Sequence, residues 1–177
     1  MKTLHLSKDL ALPLEVLRDV TAIVGRRGRG KTTTAVVLVE EAHRTGRRFC
    51  VVDPTGSWWG LRSSRDGRHP GIPCVVFGGK HVMAPLEPTA GKLLAEFVAD
   101  PSQPSAVLDI KTWSRGEQVR FLADFLSTLY QKNDAPLLLV LDEADQVAPQ
   151  MAEPGERVML GAAQRLVKLG RVSGFGV

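Results

Sequence analysis

The chain has 177 residues, 44% hydrophobic and 24% charged, which is ordinary for about one soluble globular domain with a substantial core. No apolar run approaches the ~20 residues needed to span a bilayer, and the start, Met1 to Leu6, lacks the long apolar core of a signal peptide. Cys50 and Cys74 lie in apolar runs without metal-ligand spacing, so a reduced cytoplasmic compartment is expected, while the net charge of +4 (pI ≈ 9.3) permits an anionic partner without demanding one.

Residues 1–18 form a lead-in, with a short alternating stretch that reads as a strand or loop. Residues 20–24 (Val-Thr-Ala-Ile-Val) are apolar and β-branched, and predict a buried strand. Next comes Gly25, Arg26, Arg27, Gly28, Arg29, Gly30, Lys31 and Thr32, which matches G-x-x-x-x-G-K-T, the phosphate-binding loop of nucleoside-triphosphatases. Residues 32–44 then read as a helix, so strand, glycine loop and helix stand in the order the motif requires.

Each residue type in this loop has a physical task. Backbone N–H groups must turn inward around a phosphate chain, and glycine at 25, 28 and 30 removes Cβ and permits unusual dihedrals. The first helical turn, including Thr33, adds free N–H groups and the positive end of the helix dipole. Lys31 can reach the β- and γ-phosphates, and the Thr32 hydroxyl can ligate Mg²⁺. Arg26, Arg27 and Arg29 either add phosphate or DNA contacts or point outward and contribute only their amides.

Residues 47–53 read as a second buried strand ending on Asp53, broken by Pro54, Thr55, Gly56 and Ser57. Residues 58–71 read as an exposed loop hung from the carboxyl end of that strand, carrying Trp58, Trp59, Arg62, Arg65 and Arg68. The tryptophans can touch a nucleotide base or a neighbouring subunit, although anchoring the loop on the core is the favoured reading. The arginines can meet DNA phosphates or simply be solvated. Strands at 72–77 and 106–110 flank a modest helix at 91–99.

Ser114 with Glu117 three residues later forms a capping box. Val119, Leu122, Phe125, Leu126 and Leu129 follow at helical spacing. Residues 136–141 make a strongly apolar strand, and 156–169 a helix with Gly170 as its terminating residue. Strands alternating with helices predict an α/β fold: a doubly wound, mainly parallel sheet with helices on both faces.

The run ending in Leu141, Asp142 and Glu143 has the form of the second nucleotide motif, an apolar strand followed by an acid. Asp142 at the carboxyl end of that strand can hold Mg²⁺, and Glu143 is placed to polarise a water against the γ-phosphate. That neighbouring carboxylate favours hydrolysis over phosphoryl transfer to a hydroxyl. Asp145 is a weaker candidate beside them.

These elements resemble the HerA–FtsK group of DNA-pumping ATPases, HerA-like proteins above all. The likeness rests on the loop at 25–32, on residues 51–56 (Val-Val-Asp-Pro-Thr-Gly), on 141–145 (Leu-Asp-Glu-Ala-Asp) and on 171–177 (Arg-Val-Ser-Gly-Phe-Gly-Val). The resemblance implies a P-loop NTPase domain of the RecA/ASCE-like kind over residues 19–177, with ATP and Mg²⁺ as ligands. It also implies a hexameric ring of identical subunits around duplex DNA, a nuclease as a partner, and no membrane. Arg171 then looks like the arginine finger offered to a neighbouring subunit; the other reading is a helix-end arginine facing water or the helix dipole. Family members continue past the Gly-Phe-Gly-Val position into a strand ending in a polar sensor residue. That strand lies between the glycine-loop strand and the Asp142 strand, so the chain is expected to be cut before it.

The leading expectation is an ATP-driven translocase or helicase subunit acting on duplex DNA. A nucleotide-gated switch or assembly ATPase without a DNA track is the second. A kinase on the same fold is disfavoured by Glu143, and no Leu-Ser-Gly-Gly-Gln-like stretch precedes Asp142 to suggest a transporter ATPase. ATP over GTP follows from the resemblance, since no Asn-Lys-x-Asp motif is present.

Overall fold

The computed structural model describes residues 3–26, 28–64 and 66–177. A five-stranded parallel sheet forms its centre. The strands are β3 (Arg48–Asp53), β4 (Cys74–Gly78), β5 (Ser105–Asp109), β6 (Leu137–Leu141) and β7 (Phe175–Gly176), in the order β4-β5-β3-β6-β7. A separate antiparallel hairpin, β1 (Thr3–His5) and β2 (Ala11–Pro13), precedes it.

Both faces of the sheet are covered, which is why β3, β5 and β6 are continuous apolar runs rather than alternating ones. The pleat sends Phe49 and Val51 to one side, with Leu38, Val39 and Ala42 of α1 (Lys31–Arg44). It sends Cys50 and Val52 to the other, with α2 (Gly91–Ala99), α3 (Arg115–Lys132) and α5 (Arg157–Leu169). Between β6 and α5 lies the short α4 (Ala144–Val147). Helices thus lie on both faces of the sheet, as the alternating pattern predicts.

The lead-in belongs to the α1 side. Leu4 and Leu17 are fully buried there, and the His5 N–H donates to Glu41 Oε2 at 2.8 Å. Glu41 is itself paired with Arg44, so the one buried acid of α1 has two partners.

Helix α3 starts as the capping box requires. The Ser114 hydroxyl accepts from the Glu117 N–H at 3.4 Å, and the Ser114 N–H donates to Glu117 Oε2 at 2.8 Å. Helix α5 ends at Leu169 with Gly170 as its cap, but Gly170 stays right-handed (φ −62°) and opens a tight 3-10 turn through Ser173. The left-handed residue is Gly174, at φ 83°.

One expectation is corrected. Residues 20–24 do not form a buried strand: they are extended but unpaired over most of their length, with Val20 55% and Val24 87% exposed. Only the start of the segment meets the sheet. The Val177 N–H donates to the Asp19 carbonyl at 3.2 Å, and the Thr21 N–H to the Val177 carbonyl at 2.7 Å. Among the described residues Ala22, Ile23 and Val24 have no backbone hydrogen bond. An apolar run becomes a strand only where a neighbour offers its ladder.

Candidate functional site

The glycine loop leads directly into α1, whose cap residue is Gly30. Gly28 (φ 75°) and Gly30 (φ 82°) are left-handed, a conformation that costs any residue with a Cβ. Gly25 is not left-handed, and a Cβ there would meet only Lys31 Cγ and Cδ, at 3.6 and 3.9 Å, so only Gly28 and Gly30 meet the dihedral expectation. The Thr34 N–H and hydroxyl both bond the Gly30 carbonyl, at 2.9 and 3.1 Å. The backbone N–H groups of Thr32 and Thr33 have no partner among the described residues, so the helix start presents free donors and its positive dipole end.

Opposite stands the tip of β6. The Asp142 N–H donates to the Val52 carbonyl at 3.2 Å, tying the acid to β3. Asp142 is half-buried, and its Oδ2 accepts from the Trp58 indole at 3.0 Å and the Thr55 hydroxyl at 3.4 Å. Its Oδ1 has no hydrogen-bond partner among the described residues. Glu143 follows in the left-handed region (φ 47°, ψ 56°), the one non-glycine residue at positive φ among those described. A carboxylate-bearing residue held there stores backbone strain at the start of α4.

Lys31, Thr32 and Gly25 from the loop, and Asp142, Glu143 and Asp145 from the β6 tip, line one cavity of about 540 Å³. Residues 20–24 and 138–141 also line it. Between these two segments runs β7, which pairs with Leu137 and Leu138, while Val177 bonds to Asp19 and Thr21. The two-residue β7 stands between the glycine-loop segment and the Asp142 strand, in the place of the strand before which the sequence reading expected the chain to be cut.

Three parallel strands end in carboxylates at this edge, and their surroundings differ. Asp53 is fully buried and accepts from the Thr55 N–H and hydroxyl, the Gly56 N–H and the Trp58 N–H, at 2.7 to 2.9 Å. Its lone pairs are spent on the turn. Asp109, its register partner, is buried and accepts from the Lys111 N–H at 3.1 Å. Burial pushes its carboxyl above the ordinary value, with Asp53 adding to the push and the Lys111 contacts and His81 opposing it. Asp142 alone of the three lines the cavity, and it keeps its Oδ1 without a partner there.

The remaining predicted residues fall outside this constellation. Arg26, Gly28, Arg29, Gly30 and Thr33 are exposed and do not line the cavity; Arg27 and Arg65 lie outside the described residues. Arg171 is exposed and pairs with Asp19 at 3.3 Å, away from Lys31 and Asp142. Arg62 and Arg68 are exposed. Trp58 is 1% exposed and anchors its loop in the α1-side core, whereas Trp59 stacks on His81 with ring centroids 3.7 Å apart.

The roles of Asp53 and Trp58 escape the sequence reading. The signal for the first is Asp-Pro-Thr-Gly after a strand, where a short carboxylate captures the amides just ahead of it. The second depends on β3 and β6 being neighbours, which no local pattern reveals. Among the described residues no helix is long and apolar enough to cross a membrane. No protein-family model, curated protein or solved structure matches the chain.

Proposed function

We propose that the chain binds and hydrolyses ATP with Mg²⁺ at this cavity, as a P-loop NTPase domain, and works as a motor subunit on duplex DNA. The observation that carries the ATPase reading is the convergence of Lys31 and Thr32 with Asp142 and Glu143 on one cavity at the carboxyl edge of a parallel sheet. The motor reading rests on the sequence resemblance, and the net charge of +4 is compatible with it.

The residues present fit the ligands. Free amides at Thr32 and Thr33, left-handed Gly28 and Gly30, and the Lys31 ammonium suit a triphosphate. No group of three or more metal-ligating side chains occurs among the described residues. That suits Mg²⁺, which takes one or two protein ligands and completes its shell with phosphate oxygens and water. Thr32 Oγ1 and Asp142 would hold it, and when bound it supplies positive charge to the phosphate oxygens.

Lys31 holds the β- and γ-phosphates, and the free amides fix their orientation. Glu143, one residue beyond Asp142, orients and polarises the attacking water. Arg171 serves a neighbouring subunit in the ring, exchanging Asp19 for the γ-phosphate. An exposed pair such as Arg171–Asp19 holds together by no more than about 1 kcal/mol, so the exchange is easy.

The test uses a fluorescent ATP analogue and phosphate release. Lys31→Ala should abolish binding, and Glu143→Gln should keep binding while stopping hydrolysis. Full-strength binding by Lys31→Ala refutes the site. Turnover that ignores duplex DNA at low salt refutes the motor reading and leaves the ATPase. Activity recovered on mixing Arg171→Ala with Glu143→Gln subunits supports the trans arginine.

A further inference from the structure

The Trp58 indole is buried, yet its one polar atom does not point into solvent or a backbone carbonyl. It donates to Asp142 Oδ2 at 3.0 Å. Indole N–H is a donor only, so it can hold a carboxylate oxygen but cannot itself take a cation or activate water. The ring belongs to the α1-side core, with Leu38, Val51 and Leu61. Its backbone is fixed as well: the Trp58 N–H donates to Asp53 Oδ2 at 2.8 Å, while Asp53 Oδ1 gathers Thr55 and Gly56. The chain of contacts therefore runs from a buried acid on β3, through a turn, to the acid on β6.

We propose that Trp58 is a positioning residue for Asp142: its N–H occupies one carboxylate oxygen and so presents the other to the Mg²⁺ of the bound nucleotide. This rests on the ATPase reading above. A free carboxylate at a strand tip can rotate about χ1 and χ2, and each cation captured would have to stop that rotation. A carboxylate already held on one side gives up less freedom. The Thr55 hydroxyl, at 3.4 Å from the same oxygen, is too long to do this alone. The pair also makes the 53–58 turn part of the metal site, although no residue of that turn touches the cation.

Trp58→Phe keeps a ring in the core and removes only the donor. Binding of the fluorescent ATP analogue is measured against Mg²⁺ concentration and again in EDTA. Loss of an outer-sphere partner typically weakens metal affinity 10- to 100-fold. The Mg²⁺ midpoint should rise about tenfold, with metal-free affinity within twofold of the unaltered chain. In an Asp142→Asn background the same change should move the midpoint little, because the carboxylate to be oriented is gone.

A merely structural role would weaken both affinities together and overturn the proposal. An unmoved midpoint also overturns it, provided Lys31→Ala still abolishes binding; that leaves the ATPase reading intact. No binding by the unaltered chain overturns both. Should Trp58→Phe fail to fold, the ¹⁵N indole signal of the unaltered chain decides, assigned with Trp59→Phe and Trp113→Phe. It should shift when Mg²⁺ is added to the nucleotide-bound protein, and not in Asp142→Asn. An indole signal indifferent to Mg²⁺ refutes the link.

Discussion

Glu143 joins function to strain, and the two can be separated by substitution. Its φ of 47° and ψ of 56° lie in the left-handed well, which costs an L-residue about 1–2 kcal/mol relative to the right-handed one. Glycine pays none of this, but its freer unfolded chain returns roughly 0.4–1 kcal/mol. Glu143→Gly should therefore be more stable than Glu143→Ala by about 0.5–1 kcal/mol. At about 2–4 °C per kcal/mol for a chain of this length, its Tm should be higher by about 1–4 °C. Alanine is the right reference because both variants lose the same carboxylate, so the contrast isolates the backbone. The melts are recorded by circular dichroism without nucleotide, since bound ligand adds its own stabilisation. Both variants should have lost hydrolysis. A glycine variant no more stable than the alanine one refutes the strain, and with it the idea that this tip gives up stability to place its acid.

Four further outcomes follow. Ser114→Ala removes the hydroxyl half of the α3 capping box and should cost about 1 kcal/mol in a urea melt; no change in midpoint refutes the cap's role. Gly176→Ala would place a Cβ 2.2 Å from the Leu17 carbonyl oxygen. It should cost about 1–3 kcal/mol through forced separation of β7, and an unaltered midpoint contradicts that close approach. Asp109 is raised by burial, so its contribution is full below the unfolded carboxylate value and is lost as pH rises through its folded value. Asp109→Asn should therefore gain on the unaltered chain as pH climbs from about 3 toward 7, and a constant difference in stability contradicts the shift. Burial also pushes the Cys74 thiol up to about 11 and raises Cys50 further, so neither should react with a disulfide reagent at pH 8 until the chain unfolds. Rapid labelling of the native protein contradicts their burial.

How far the sequence discloses this molecule depends on whether a feature is local. Strand β6 is apolar throughout because both its faces are covered, and its ends fall within one residue of the predicted 136–141. Helix α3 begins where Ser114 and Glu117 announce it, since a cap is a contact between near neighbours. Residues 20–24 fail for the opposite reason. Their β-branched run meets every local condition for a strand, but pairing needs a neighbouring backbone, and among the described residues only Asp19 and Thr21 find one, at Val177. The Trp58–Asp142 bond spans 84 positions and exists only because β3 and β6 are adjacent. The left-handed turn at Glu143 was equally hidden, because glutamate carries no preference for it.

The placing of the site follows from the route of the chain across the sheet. Residues 19–24 stand beyond β7, and α1 carries the chain from there past β7 and β6 to β3, on the face it shares with the hairpin. The later connections β4–α2–β5 and β5–α3–β6 run in the opposite direction. Parallel crossovers keep one hand, so reversing direction obliges those helices to take the other face, where α2, α3 and α5 are found. Where the two directions part, a crevice opens at the carboxyl edge. The glycine loop leaves from one bank of that crevice and Asp142 from the other, while Asp53 and Asp109 stand farther along the same edge, committed to turns and burial. The loop and the acid are more than a hundred positions apart in the sequence, and what brings them to one opening is the winding of the sheet. Any change that displaces β7 should therefore disturb their spacing before it disturbs either motif.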